Sequence, residues 1–199
     1  MIYVQYNWAY PNYTQYIHVL CAIIKKKKDM TTRTFVDRFN LTISQEGQIL
    51  INEFFISFAR FECALKATGF VSGNFEKVSA NWDGFTSSIR NEFDNRIRPI
   101  QIKSAIDYLN ENPPRIQNYI DGNLAWRDRV FAANQPLINR LSLSIRDIRN
   151  NLFHGGKFNG NYQEDFSRNY ILLRSAIIVL NYWLELNDDV KRNFLEPIS

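Results

Sequence analysis

Cysteine is scarce in this chain. The two present, Cys21 and Cys63, stand far apart with no CxxC pair, so the spacing of a structural zinc site is missing. Both read as free thiols of a reducing compartment, although sequence leaves a disulfide between them open. Eight glycines and six prolines in 199 residues exclude collagen-like and low-complexity chains. No apolar run approaches the roughly 20 residues that span a bilayer. The nearest, "YIHVLCAII" at 16–24, is short, and its lysines follow it, which is the wrong polarity for a secretory signal. The expectation is a cytoplasmic protein with no membrane partner. No P-loop occurs, because "GGKF" lacks the glycine and Ser/Thr that would complete one. No cofactor and no metal site are expected.

What is present is a globular composition: 45% apolar residues and a high 15% aromatic share. The aromatics recur at helical spacing and read as core before base-stacking platform. Net charge is +4, unevenly spread. Residues 115–174 hold nine basic and five acidic side chains, against nine and ten over 30–114. Either an anionic ligand or a solvated basic face accounts for that surplus.

The beginning is unusual. "AIIKKKKDMTTRTF" looks like a purine-rich ribosome-binding site read as protein. Two readings of 1–29 stand open: an extension upstream of a true start at Met30, or an N-terminal arm packing its tyrosines on the domain that fills 30–199. Intact mass of the natural protein decides between them. His18 lies in this arm without an evident partner.

From there the periodicity is helical. Ser44 is a plausible N-cap for a helix over 46–68, with Ile51, Phe54, Phe55, Phe58, Phe61 and Leu65 on one arc. Cys63 reads as part of that core. A second helix over 82–97 carries Trp82, Phe85, Ile89, Phe93 and Ile97, and ends before Pro99. A third covers 100–110. "RIQNYI" and "LAWRDRVF", flanking Asp121-Gly122, read as short helical pieces. A fourth long helix follows Pro136 with the stripe Ile138, Leu141, Ile145, Ile148 and Leu152, and stops at Gly155-Gly156. The last, over 166–186, is apolar on most of its circumference and should be central. No alternating strand pattern stands out. The expected fold is all-α, a single-domain up-and-down bundle of about five helices.

The fourth helix ends in chemistry. With Ile148 at the centre of its stripe, Arg149 falls at about 100°, Arg146 at about 160°, Asn150 at about 200° and His154 at about 240°. All four lie on the polar arc. Imidazole titrates near neutrality and can take a proton from a ribose 2′-hydroxyl or give one to a leaving 5′-oxygen. Guanidinium offers a planar fork to phosphate oxygens. Together they suffice for metal-free RNA cleavage. The bland reading is a histidine at the negative end of a helix beside a surface arginine. Arg149 and His154 do not point together on an ideal helix, so either the helix unwinds near Phe153 or a second copy completes the site. Glu62 falls on the apolar arc of the first helix. Buried there it needs a cation, with Arg149 the favoured partner and Arg60 or Arg174 the alternatives. Arg146, Asn151 and Lys157 are further candidates for RNA backbone contact, or simply solvated.

"RNNLFHGGKF" resembles the signature of the HEPN superfamily, all-helical domains with an arginine, a polar residue and, after a short spacer, a histidine at a helix end. Arg149, Asn150 and His154 occupy those places, and Gly155-Gly156-Lys157 continue as in many bacterial members. "FARFECALKATGF" (58–70) is similar to the first core helix of uncharacterised members, so the resemblance covers roughly residues 45–186. It implies a ribonuclease acting as a homodimer, in toxin–antitoxin or antiviral defence, with RNA as substrate and an antitoxin or nucleotidyltransferase as partner. His154 would be the acid/base, Arg149 the phosphate-stabilising group and Asn150 the orienting residue. The same resemblance covers non-catalytic modules that bind nucleotide, RNA or protein. A helical interaction subunit is the plainest alternative.

Overall fold

Ser44 opens the longest helix by accepting a hydrogen bond on Oγ from the Gly47 amide at 3.1 Å. The computed structural model describes residues 32–34, 36–37, 43–153 and 166–196. The chain divides into two units, 1–43 and 44–199. In the first, described residues 32–34 and 36–37 are helical, with Arg33 and Asp37 paired one turn apart at 3.1 Å. The questions raised by Cys21, His18 and a start at Met30 lie outside the described residues. Everything that follows concerns the second unit.

Helix α1 (Gln45–Ala67) buries Leu50, Ile51, Phe54, Phe58, Phe61, Ala64 and Leu65. Phe55 is half-buried, and Cys63 is exposed, against the expectation that it packs in the core. Cys63 lies about 100° from Glu62 on the wheel, enough to turn it off the buried arc. Gly47 allows a close approach to the last long helix, since a Cβ there would collide with the Tyr170 ring. The Ser44 hydroxyl also meets Tyr170 Oη at 2.9 Å. Ser44→Ala is expected to cost about 1 kcal/mol, read as a lower urea midpoint with an unchanged slope.

A left-handed Gly69 (φ +93°) ends α1, with the Phe70 amide reaching back to the Leu65 carbonyl. The chain then forms a hairpin, β1 (Val71–Gly73) with β2 (Val78–Ala80). Helix α2 (Trp82–Asn95) starts on the Asn81 side chain and buries Trp82, Phe85, Ile89 and Phe93. Ile97 lies beyond its end and is 95% exposed. The chain is already extended at Arg96. Helix α3 (Ile100–Glu111) buries Ala105, Ile106 and Leu109.

The segments flanking Asp121-Gly122 are strands rather than the expected helical pieces. β3 (Ile116–Ile120) pairs antiparallel with β4 (Asn123–Arg127). Asp121 (φ +49°) and Gly122 (φ +80°) both adopt positive φ, the requirement of a two-residue type I′ turn. Helix α4 (Leu137–Phe153) buries its whole predicted stripe, Ile138, Leu141, Ile145, Ile148 and Leu152. Helix α5 (Phe166–Leu184) buries residues around much of its circumference, including Leu172, Ala176, Leu180 and Trp183. A short α6 (Asp188–Leu195), capped by Asn187, was not apparent in the sequence pattern, because it buries only Val190.

The unit is therefore mostly helical, with two small antiparallel hairpins added to the helices. Helix α5 packs against α1 and α3, α1 also carries α6, and α4 packs against α2 and α3. The centre is aromatic: Phe61 stacks on Trp82 at 5.4 Å, and Phe85 meets Trp183 edge-on at 6.1 Å. Phe58, stacked on Trp82 at 5.4 Å, carries this buried cluster towards α4.

Candidate functional site at the end of α4

Phe58 and Glu62 are four residues apart, so α1 presents a ring and a carboxylate on one face. Opposite them α4 brings Arg149. Its Nη2 lies 3.9 Å from Glu62 Oε2, and its guanidinium sits 5.4 Å from the centre of the Phe58 ring. Glu62 also accepts a hydrogen bond on Oε1 from Trp82 Nε1 at 3.0 Å. The carboxylate is half-buried, 28% exposed, rather than fully buried as its place on the arc suggested. The other arginines considered for it are engaged elsewhere. Arg60 donates to the carbonyls of Asn193, Phe194 and Glu196 at the end of α6, and Arg174 pairs with Glu46.

Asn150 is exposed and accepts a hydrogen bond on Oδ1 from Arg149 Nη1 at 2.9 Å. Arg149 is thus approached by an amide, a carboxylate and an aromatic face while remaining 35% exposed. Each contact is weak alone: a half-exposed pair at this separation contributes roughly 0–1 kcal/mol, and the ring contact about 0.5–1 kcal/mol. Their sum orients the fork more than it stabilises the fold. Glu62→Gln is expected to move thermal unfolding by less than about 1 kcal/mol, since the pair is half-exposed.

His154 and Lys157 lie outside the described residues, as do Gly155 and Gly156. Asn151, expected at the surface as an RNA contact, is only 4% exposed, and its Nδ2 donates to the Arg115 carbonyl at 2.8 Å. It ties the start of β3 to α4 and is consumed by that task. The cavity beside it, lined by Pro114, Asn151, Asn169 and Leu172, measures about 20 Å³. That is the size of one water, so it cannot admit a nucleotide.

Two residues escaped the sequence reading. Asp147 on α4 is buried, and Arg129, just after β4, grips it with both sides of its guanidinium, Nη2 to Oδ1 at 2.8 Å and Nε to Oδ2. Burial pushes the Asp147 carboxyl above its ordinary value, and Arg129, with Arg146 and Arg127 farther off, opposes that rise. The hairpin is thereby fastened along α4 at Asp147 and Asn151. Arg146 is half-buried on the arc between this hairpin and Arg149. A charged residue following a hairpin and another on the border of a helical stripe give no linear signal of pairing.

Among the described residues no helix is long and apolar enough to cross a membrane, and no group of three His, Cys, Asp or Glu side chains could hold a metal ion. Comparison with protein-family models, with curated proteins and with solved structures returns no match.

Proposed function

We propose that the chain is a HEPN-like, metal-independent endoribonuclease acting as a homodimer in the cytoplasm, in a toxin or phage-defence role. The observation that carries this reading is Arg149, held against Glu62, Asn150 and Phe58 and still open to solvent, five residues before His154. An arginine serving only the end of a helix has no use for a carboxylate and a ring brought from another helix.

In the proposed reaction the His154 imidazole takes the proton of a ribose 2′-hydroxyl. The 2′-oxygen then bonds to phosphorus as the bond from phosphorus to the 5′-oxygen breaks. A protonated imidazole, which the second copy of the motif across the dimer would supply, gives the leaving oxygen its proton. The products are a 2′,3′-cyclic phosphate and a 5′-hydroxyl end. Arg149 stabilises the charge that builds on the non-bridging oxygens, and Asn150 orients it. An antitoxin or nucleotidyltransferase would restrain this activity.

The test is incubation of the purified protein with mixed RNA in EDTA, alongside His154→Ala and Arg149→Ala. Cleavage by the parent that both variants lose is the expected result. RNA bound without cleavage would replace the enzyme by a silent binding module. Neither binding nor cleavage would leave a helical interaction subunit.

A further inference from the structure

Among the described residues every arginine but two makes a hydrogen bond, an ion pair or a ring contact. The exceptions are Arg127 and Arg146. These two share one neighbourhood. Arg127 is the exposed last residue of β4, opposite Ile116. Arg146 is half-buried on α4, next to Asp147. The Arg129–Asp147 pair draws the two segments together, since Arg127 precedes Arg129 by two residues and Arg146 precedes Asp147 by one.

The charge there does not balance. The carboxylate between them is already taken by Arg129, whose guanidinium covers both of its oxygens. Two further guanidiniums lie close enough for their fields to reach the same carboxylate, and neither makes a hydrogen bond, ion pair or ring contact of its own. Arg146 is half-buried, as an arginine is when its stem lies along the protein and its head stays open to an anion. Two planar forks on neighbouring elements suit the oxygens of one phosphodiester or two adjacent ones. Arg146 is three residues before Arg149, so the position lies roughly 5 Å along the helix from it, on the same polar arc.

We propose that Arg127 and Arg146 form a second phosphate station, which binds the RNA backbone next to the phosphodiester held at Arg149. The station rests on the ribonuclease reading above and adds a direction to it: the strand crosses α4 from Arg149 towards the β3–β4 hairpin. The hairpin is then a part of the binding surface, and the buried Arg129–Asp147 pair is what sets it in place.

The experiment uses fluorescence anisotropy with an end-labelled single-stranded RNA of about 20 nucleotides, in EDTA, between about 50 and 300 mM salt. All proteins carry His154→Ala so that the probe stays intact. Adding Arg127→Gln and Arg146→Gln together is expected to weaken binding about tenfold or more at the lowest salt. The slope of log affinity against log salt should fall by about 1.4, the value for two lost contacts to a single strand. Arg90→Gln, which removes an exposed pair with Asp94 elsewhere, should leave the slope alone. Because neither arginine makes a hydrogen bond, ion pair or ring contact within the protein and only their fields reach Asp147, the midpoint of thermal unfolding should stay close to the parent's. If RNA binds but the double variant keeps the parental slope, the station is wrong and the ribonuclease reading survives. If the His154→Ala protein binds no RNA at any salt, both fall.

Discussion

On the ribonuclease proposal, Arg149→Ala is expected to slow RNA cleavage by about 10²- to 10³-fold, the loss seen when one preorganised donor to a developing oxyanion is removed. The fold should scarcely notice. Arg149 is 35% exposed, and its contacts with Glu62 and Phe58 are worth no more than about 1 kcal/mol each. Unfolding by urea should therefore give a nearly parental midpoint. Arg149→Lys separates charge from shape. It keeps the cation but cannot reach Glu62, Asn150 and a phosphate with one planar fork. Its rate should lie between parent and alanine. A lysine variant as fast as the parent would show that only a positive charge is needed there, and the role of Asn150 and Glu62 in orienting the fork would go with it.

Arg129→Ala should cost about 3–5 kcal/mol of stability at neutral pH, because it strands a buried carboxylate. Asp147 is 7% exposed in its side chain and Arg129 19%, so solvent does little to soften the break. The pH dependence has a defined sign. Burial already holds the Asp147 carboxyl above its ordinary value in the folded protein, and Arg129 is the principal opposing influence. Removing Arg129 raises it further. A carboxyl raised on folding adds stability below its unfolded value and loses that contribution as pH climbs through its folded value. The variant should accordingly recover part of its deficit on acidification, and the gap between variant and parent should be narrower near pH 5 than at pH 7. A gap that widens on acidification would mean that the carboxylate is not the group left unpaired. The hairpin should loosen with the pair, which amide exchange in Ile116–Arg127 would register.

Much of the helical framework was legible because it repeats. Ile138, Leu141, Ile145, Ile148 and Leu152 recur at helical spacing and are all buried. Ser44 announced the start of α1 through its side chain chemistry. Glu62 could be matched to Arg149 because an acidic residue inside an apolar arc demands a cation. The hairpins were harder. With three residues each, β1 and β2 are too short to alternate visibly. Asp121-Gly122 carries the turn chemistry of a hairpin, but "RIQNYI" and "LAWRDRVF" fit a helical period as readily as a strand, so the pattern alone reads as a break between helical pieces. Asn151 and Asp147 were misplaced or missed for a further reason. A helical wheel separates polar from apolar arcs, but cannot say which part of the polar arc a distant segment will cover. The β3–β4 hairpin covers that part, turning a nominal solvent face into a buried amide contact and a buried ion pair. Exposure of Cys63 is the reverse error, one residue's turn away from a true core position.

The most direct measurement compares an RNA oligonucleotide with the same oligonucleotide carrying a single 2′-deoxy sugar at the scissile nucleotide, both incubated with the protein in EDTA. Cleavage of the first to a 2′,3′-cyclic phosphate and a 5′-hydroxyl, with the deoxy position left intact, is the result expected if His154 and Arg149 act on the neighbouring hydroxyl and phosphate. Cutting at the deoxy position at an equal rate, or cutting that appears only when a divalent metal is restored, would contradict it.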